Sequence, residues 1–449
     1  MTGVSAGTPG ERELALRALT AYRRRGTFAS DALDGVLRAA RADGRAAALA
    51  TNIVRGVLQN MALCDFYIGA FSSMPVRRIE PQVLDILRLS AYQLVFLEKI
   101  PISAAVNEGV ALARRHANPR AAGFVNAVLR KLADSLDALP EPRGASRIET
   151  LALKYSHPEQ LVRALDAELG GQGLEELLEA NNARPPLTVR VNTLKADIRE
   201  VIGSLEAQGI ETLPHGVLPG SLVLRNAGDP GAIDALRAGL IFVQDAAATA
   251  AALAGTPAPG CKVLDGCASP GGKAFAAAIE MGDSGYVEAR DISGEKLAAV
   301  DEGVGRLGIG SIRTRAADAR VARGDAEGEA DVVYADVPCS GFGVIRRKPE
   351  IRYKSAGETE ALPGAQLDIL SGLASYVRPG GTLVYSTCTV LARENADVIG
   401  EFLRRWDDFY ADGFTLPGDL GAAPAGMITL WPHIHGTDGF FICRMRRSR

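Results

Sequence analysis

Two cysteines follow the ends of two predicted strands, each among small polar residues. Cys388 follows the strand predicted over Thr382–Ser386, and Cys339 follows the strand predicted over Val332–Ala335. Ligands of open α/β sheets bind beyond the carboxyl ends of the strands. A buried structural cysteine is the usual explanation for a single thiol. Two thiols in equivalent positions instead suggest that both face one substrate.

A glycine-rich turn joins an earlier predicted strand, Lys262–Leu264, to a helix. Its sequence, DGCASPGGK at 265–273, matches neither GxGxxG nor GxxxxGK[ST], which argues against dinucleotide and P-loop sites. The next two predicted strands end near Asp291 and Asp318. Asp291 lies eighteen residues after Lys273, a spacing typical of the acid that binds ribose hydroxyls. Asp318 is placed to meet an adenine amino group.

Each of these aspartates, taken alone, is more simply explained as a helix N-cap. Three acids in series, Asp265, Asp291 and Asp318, behind a Gly-Gly turn instead predict a nucleoside ligand without phosphates. S-adenosylmethionine is such a ligand, and an acidic pocket suits its sulfonium. The predicted cofactor-binding residues are Cys267, Ala268, Ser269, Pro270, Gly271, Gly272, Lys273, Asp291, Asp318 and Asp336.

Three domains are predicted from the pattern of helices and strands. The first is all-α, the second is a small α+β subdomain, and the third alternates strands and helices in the manner of a Rossmann-like, doubly wound parallel sheet. Two final strands, Met427–Leu430 and Gly439–Met445, are expected to pair antiparallel at its edge. The predicted boundaries are 1–140 for the helical domain, 141–150 for a linker, 151–240 for the subdomain and 241–449 for the α/β domain.

Composition excludes several classes of protein. The 449 residues are 47% hydrophobic and 23% charged, as in a globular protein. No apolar run reaches the ~18 residues of a membrane span. The amino terminus lacks an export signal, so we expect a cytoplasmic protein. CxxC pairs are absent and the five histidines do not cluster, so no metal site is expected.

Charge is distributed unevenly along the chain. Residues 1–140 contain 18 Lys and Arg against 12 Asp and Glu, whereas the remainder contains 32 against 41. A basic front domain on an acidic body suggests a polyanionic partner. An ordinary solvated helical surface explains the same charges equally well.

Several stretches resemble known families. LRLSAYQLVFLEKIPISAAVNEGVALA and GFVNAVLRKL, in the front domain, are similar to the NusB-type RNA-binding helical domain. CASPGGK, DVPCSGFGVIRRKPEIRY, STCTVLAREN and DGFFICRM resemble the motifs of the RNA 5-methylcytosine methyltransferases. In this order along nearly the full chain, they resemble the RsmB/Sun branch, which acts on small-subunit ribosomal RNA.

That resemblance implies a mechanism. It gives Cys388 as the nucleophile that adds to carbon 6 of cytosine, and Cys339 as the thiol that assists breakdown of the adduct. In DNA cytosine-5 enzymes the cysteine after proline is the nucleophile instead. Asp336 is expected to hydrogen-bond the cytosine ring nitrogen.

Four polar residues of the second and third domains are predicted to contact RNA. Arg190 and Asn192 lie in a segment that resembles the RNA-facing surface of the family, and Arg346 and Arg347 directly follow the Cys339 loop. All four are predicted to contact phosphates, although edge-strand polarity or a solvated charge run explains them about as well. A monomer is expected.

Two other functions fit the sequence. The first is the same chemistry on transfer RNA, and the second is a non-catalytic RNA-binding or assembly factor that keeps the methyltransferase fold. Intact Cys339, Cys388 and Lys273 argue against the second.

Overall fold

The computed structural model describes residues 9–26, 28–216, 218–322 and 327–449. Residues 1–8, which the prediction of no export signal includes, lie outside this range. The chain divides into two compact units. A helical unit comprises residues up to Ala167 together with Lys348–Tyr353, and a sheet unit comprises Glu168–Arg347 and Lys354–Arg449. Among the described residues, no helix combines the length and the apolar character that crossing a bilayer requires.

The helical unit is all-α, as predicted. Its apolar residues recur at helical spacing and form one buried cluster. The central helix begins at Pro81, in the first turn where a missing N–H costs nothing, and buries Ile86, Leu87 and Leu89. Its helices are α1 (Glu11–Arg25), α2 (Ala29–Ala40), α3 (Gly44–Gln59), α4 (Met61–Phe71), α5 (Pro81–Phe96), α6 (Ile102–His116), α7 (Pro119–Asp134) and α8 (Arg147–Lys154), followed by α9 (Glu159–Leu169), which reaches the unit boundary.

A short segment from late in the chain, Lys348–Tyr353, also packs in the helical unit; we call it the docked segment. The fully buried guanidinium of Arg352 donates to the carbonyl oxygens of Gln59 and Ser156, each at 2.9 Å. Burial lowers the pKa of Arg352 to about 10. The Tyr353 hydroxyl donates to the Leu58 carbonyl at 2.9 Å.

The sheet unit begins with a small antiparallel sheet. Gly170, Gly171 and Gly173 adopt positive φ and separate the helix Glu159–Leu169 from the helix Leu174–Asn182. The strand order is β2-β3-β1-β4, so Ile241–Val243, predicted to lie in the α/β domain, pairs with this sheet. Its elements are α10 (Leu174–Asn182), β1 (Leu187–Val191), α11 (Ile198–Ala207), β2 (Glu211–Pro214), β3 (Ser221–Arg225), α12 (Asp234–Arg237) and β4 (Ile241–Val243).

The main sheet has eight strands with the order β10-β14-β9-β8-β5-β6-β7, and β13 pairs with β14. The strands from β9 to β7 are parallel. The predicted antiparallel tail is confirmed, and β14 lies directly beside β9. Its strands are β5 (Lys262–Asp265), β6 (Tyr286–Asp291), β7 (Ile312–Ala316), β8 (Ala330–Asp336), β9 (Val377–Thr387), β10 (Phe409–Ala411), β13 (Met427–Leu430) and β14 (Phe440–Arg447). Between β10 and β13 along the chain, β11 (Phe414–Thr415) and β12 (Ala422–Ala423) pair with each other in a separate two-stranded sheet.

Helices cover both faces of this sheet, as a parallel sheet requires. The alanine-rich helices α13 and α14 pack with α15 on one apolar cluster, and α17 and α18 pack on the other. Small alanine side chains allow close helix–sheet packing there. The packed helices are α13 (Ala246–Ala254), α14 (Gly272–Glu280), α15 (Gly294–Leu307), α17 (Leu362–Ala374) and α18 (Ala396–Arg405). Two short helices, α16 (Ala356–Glu360) and α19 (Pro432–His435), complete this part of the chain.

Candidate active site

The parallel register aligns the predicted site residues at one edge of the main sheet. Asp336, the last residue of β8, pairs with Ser386 near the end of β9. Asp265 ends β5 and Asp291 ends β6. The loops that carry Cys339 and Cys388 therefore leave the sheet at the same edge as the loop after β5.

The two thiols are in contact. Sγ of Cys339 lies 3.2 Å from Sγ of Cys388, and either can be the donor. This hydrogen bond, together with burial and the nearby carboxylates of Glu394 and Asp336, raises the pKa of the Cys339 thiol well above its ordinary value. Cys339 is therefore a protonated thiol at neutral pH in the ligand-free protein.

Backbone hydrogen bonds join three loops around the thiols. The Gly343 amide donates to the Cys388 carbonyl at 2.9 Å, and the Gly439 amide donates to the Gly343 carbonyl at 2.8 Å. A Cβ on Gly343 would lie only 1.9 Å from the Gly439 carbonyl oxygen, so this approach requires glycine. These hydrogen bonds therefore connect the loops after β8 and β9 to the turn before β14.

Asp336 is held on both carboxylate oxygens. Oδ1 accepts from the Ser386 hydroxyl at 2.7 Å, and Oδ2 lies 2.5 Å from Nζ of Lys273. The Lys273 ammonium also lies over the Phe440 ring. About a third of the Asp336 side chain remains exposed, at 32%, so a ligand can still reach it.

The loop after β5 is surrounded by negative charge. The carboxylates of Asp265, Asp291, Asp318 and Asp336 all raise the pKa of the Cys267 thiol, after burial as the main cause. Burial also raises the pKa of Asp265 to about 7, and its Oδ1 has no hydrogen-bond partner within the described part of the chain. A cationic ligand compensates such a field, so these residues fit the sulfonium of S-adenosylmethionine.

The two outer acids have local partners. Oδ1 of Asp291 accepts from the Ser293 amide at 3.0 Å, and Asp318 forms an ion pair with Arg320 at 2.6 Å. Both carboxylates remain partly exposed. The side chain of Ile292, which follows Asp291 in the chain, is 67% exposed and supplies an apolar surface. This residue was not among the predicted site residues.

Arg346 and Arg347, the predicted phosphate contacts, both form ion pairs with buried carboxylates. Only 6% of the Arg346 side chain is exposed, and its guanidinium donates to Asp438 at 2.7 Å. Arg347 pairs with the same carboxylate and with Asp245 at 2.7 Å. Both guanidinium groups are therefore paired with buried carboxylates. A buried Asp438 carboxylate without a cation beside it would lower the stability of the folded protein.

Arg190 and Asn192, which are also predicted to contact RNA, are interior residues in the structure. Arg190 is buried and pairs with Glu280 at 2.5 Å. The fully buried Asn192 amide donates to the carbonyl oxygens of Gly239 and Leu307, each at 2.9 Å. The alternation of β1 makes them look like surface positions, but neighbouring elements cover that face.

Two further polar residues beside the thiols were not identified from the sequence. Glu394 and Gln366 are both fully buried and hydrogen-bonded to each other at 3.0 Å. Glu394 lies within the family-like stretch STCTVLAREN, so the sequence motif could have identified it. Gln366 lies within α17, outside any recognised motif.

Comparison with known proteins agrees with this geometry. Residues 252–446 match the family described as 16S rRNA methyltransferase RsmB/F, residues 10–134 match the NusB family, and residues 157–230 match the ferredoxin-like domain of RsmF/B-like methyltransferases. A protein of Bacillus subtilis, "Probable ribosomal RNA small subunit methyltransferase B", is 36% identical over 97% of this chain and 98% of its own. The chain belongs to the RsmB/F family.

Other relatives agree with this assignment. A Synechocystis protein, also named "Probable ribosomal RNA small subunit methyltransferase B", is 33% identical over 97% of this chain and 99% of its own. The crystal structure of PH0851 is 27% identical and superposes with a TM-score of 0.81, covering 97% of this chain and 98% of that one. RsmB/F proteins use S-adenosylmethionine as methyl donor.

Proposed function

We propose that this chain methylates carbon 5 of a cytosine in 16S ribosomal RNA through a covalent adduct with Cys388. The observation that carries the proposal is the 3.2 Å contact between the Cys339 and Cys388 sulfurs beside Asp336. The relatives named as small-subunit rRNA methyltransferases, together with the NusB-family match of residues 10–134 of this chain, support ribosomal RNA as the substrate.

Cys388 performs the first step as its thiolate. Its sulfur bonds to carbon 6 of the cytosine, and the electrons of the 5,6 double bond move toward the ring nitrogen, which Asp336 holds by a hydrogen bond. Carbon 5 becomes nucleophilic in this adduct. Bound S-adenosylmethionine supplies the electrophilic methyl group that carbon 5 then takes. Asp291, Asp318 and the loop 267–273 would hold this cofactor.

Cys339 performs the last step. The new sulfur–carbon bond consumes the Cys388 thiolate, and this removes the largest cause of the raised pKa of Cys339. Cys339 can then lose its proton to water and, as a thiolate, accept the proton from carbon 5. The electrons of that carbon–hydrogen bond restore the 5,6 double bond, and the bond between Cys388 and carbon 6 breaks to release Cys388 as its thiolate. Cys339 is therefore a protonated thiol while the adduct forms and a thiolate base when the adduct breaks down.

Single substitutions separate the two roles. Transfer of labelled methyl groups to 16S rRNA transcripts is expected to be lost in Cys388→Ser, whereas Cys339→Ser is expected to accumulate an RNA–protein species that resists denaturing electrophoresis. Swapped phenotypes would exchange the roles, and normal activity in both variants would contradict a covalent mechanism. Transfer RNA in the same assay tests the alternative substrate.

A further inference from the structure

We propose that the adjacent residues Glu394 and Asn395 are positioning residues that set the separation of the two thiols, with one residue holding each thiol loop. This inference rests on the proposed roles of Cys339 and Cys388. Both side chains are buried, at 0% and 1% exposure, so neither can act as a surface group.

Glu394 holds the Cys339 loop from both sides. Its Oε2 accepts from the Ser340 amide at 2.8 Å and from Nε2 of Gln366 at 3.0 Å. The same Gln366 nitrogen donates to the Pro338 carbonyl at 3.0 Å. The peptide groups before and after Cys339 are therefore fixed by a single pair of interacting side chains.

Asn395 holds the Cys388 loop in the same way. Its Oδ1 accepts from the Thr387 hydroxyl at 2.6 Å, and its Nδ2 donates to the Thr389 carbonyl at 3.1 Å. The residues before and after Cys388 are thus both bound to one amide. A direct hydrogen bond between the Ser340 and Thr389 hydroxyls, at 2.8 Å, connects the two loops.

The pair is itself anchored to the sheet beneath the thiols. The Tyr385 hydroxyl of β9 donates to the Glu394 carbonyl at 2.6 Å. Within the described residues, Oε1 of Glu394 and Oε1 of Gln366 have no hydrogen-bond partner although both are buried. Unsatisfied buried oxygens lower stability, which favours a functional reason for this carboxylate over a purely structural one.

Thiol proximity can be measured without RNA or cofactor. Phenylarsine oxide binds two adjacent thiols: two sulfur–arsenic bonds form, and the arsenic-bound oxygen leaves as water with both thiol protons. Mass spectrometry of the full-length protein is expected to show one arsenical per wild-type chain and none in Cys339→Ser. Glu394→Ala and Asn395→Ala are expected to slow this capture at least about tenfold, because each frees one thiol loop.

Matched variants separate positioning from general destabilisation. Glu394→Gln keeps an acceptor for Ser340 and Gln366 and is expected to restore capture. Tyr334→Phe removes a buried hydroxyl that donates to the Ala252 carbonyl at 2.6 Å, away from both thiol loops, and is expected to leave capture unchanged. Should Glu394→Ala fail to fold, Gln366→Met provides the same test, since it breaks the contact with Pro338 without removing the carboxylate.

Kinetics distinguish this inference from the function on which it rests. In the positioning variants kcat is expected to fall about 10- to 100-fold while KM for S-adenosylmethionine changes little, since neither residue belongs to the loop after β5. Slowed capture with unchanged kcat would support positioning and contradict the covalent function. Normal capture in both Glu394→Ala and Asn395→Ala would overturn the inference whatever their activity.

Discussion

Nζ of Lys273 lies 2.5 Å from Oδ2 of Asp336 and joins the start of α14 to the end of β8. The lysine side chain is 7% exposed, so its removal leaves the Asp336 carboxylate without a counter-charge in a pocket that already holds three other acids.

Lys273→Met is expected to destabilise the sheet unit by about 1–3 kcal/mol, because Asp336 loses its counter-charge while water still reaches part of it. Urea unfolding followed by tryptophan fluorescence measures this unit, since Trp406 and Trp431 both lie in it. The control is Lys262→Met, which removes an exposed pair with Glu329 and is expected to cost less than about 1 kcal/mol. Equal effects in the two variants would contradict a structural role for the buried pair.

Asp265 predicts an unusual pH dependence of stability. Its pKa is about 7 in the folded protein, above the ordinary value of about 3.9 in the unfolded chain. Between these two pH values Asp265 keeps its proton in the folded state but loses it in the unfolded chain. The free energy of unfolding therefore falls as the pH rises from about 4 to 7. Asp265→Asn is expected to flatten this slope when tryptophan-monitored unfolding is repeated at several pH values. An unchanged slope would show that another group titrates.

Gly343→Ala is expected to separate the thiol loops, because its Cβ would meet the Gly439 carbonyl at 1.9 Å. We expect a stability loss of about 1–3 kcal/mol and a large fall in methyl transfer. Gly400→Ala is the control: this exposed position in α18 has open space around the added Cβ, and the helix should gain up to about 1 kcal/mol. Wild-type activity of Gly343→Ala would mean that the loops do not need this contact.

Arg346→Ala is expected to act on stability and not on RNA affinity. Loss of this cation leaves the buried Asp438 carboxylate with Arg347 alone, at a cost of about 2–4 kcal/mol. The salt dependence of RNA binding should keep its wild-type slope, whereas a residue that contacts a phosphate would reduce it. Arg378→Ala, which removes an exposed pair with Asp331, serves as the control for both measurements.

The elements that carry the site could be predicted from the sequence, because their patterns are local. The glycine turn after β5 and the strands that precede Cys339 and Cys388 follow from short runs of β-branched residues and turn residues. The main sheet and its antiparallel tail were predicted correctly for this reason.

Burial of charged residues could not be predicted in the same way. The run of charges around Arg346 is the same whether its side chain faces solvent or pairs with Asp438. The two partners are 92 residues apart along the chain. Gln366 similarly acquires its role only when α17 packs beneath the Cys339 loop. Such contacts depend on tertiary packing, which a local sequence pattern does not contain.

The docked segment has a practical consequence for dissecting the protein. A truncated gene product that starts at Glu168 would retain the hexapeptide Lys348–Tyr353 but lose every helix against which it packs. Ile351 and the guanidinium of Arg352, which are buried in the helical unit, would then be exposed to water. Low activity of such a fragment would therefore reflect the exposed docked segment as much as the missing NusB-like domain, and co-expression of residues 1–167 as a separate chain is the appropriate complementation.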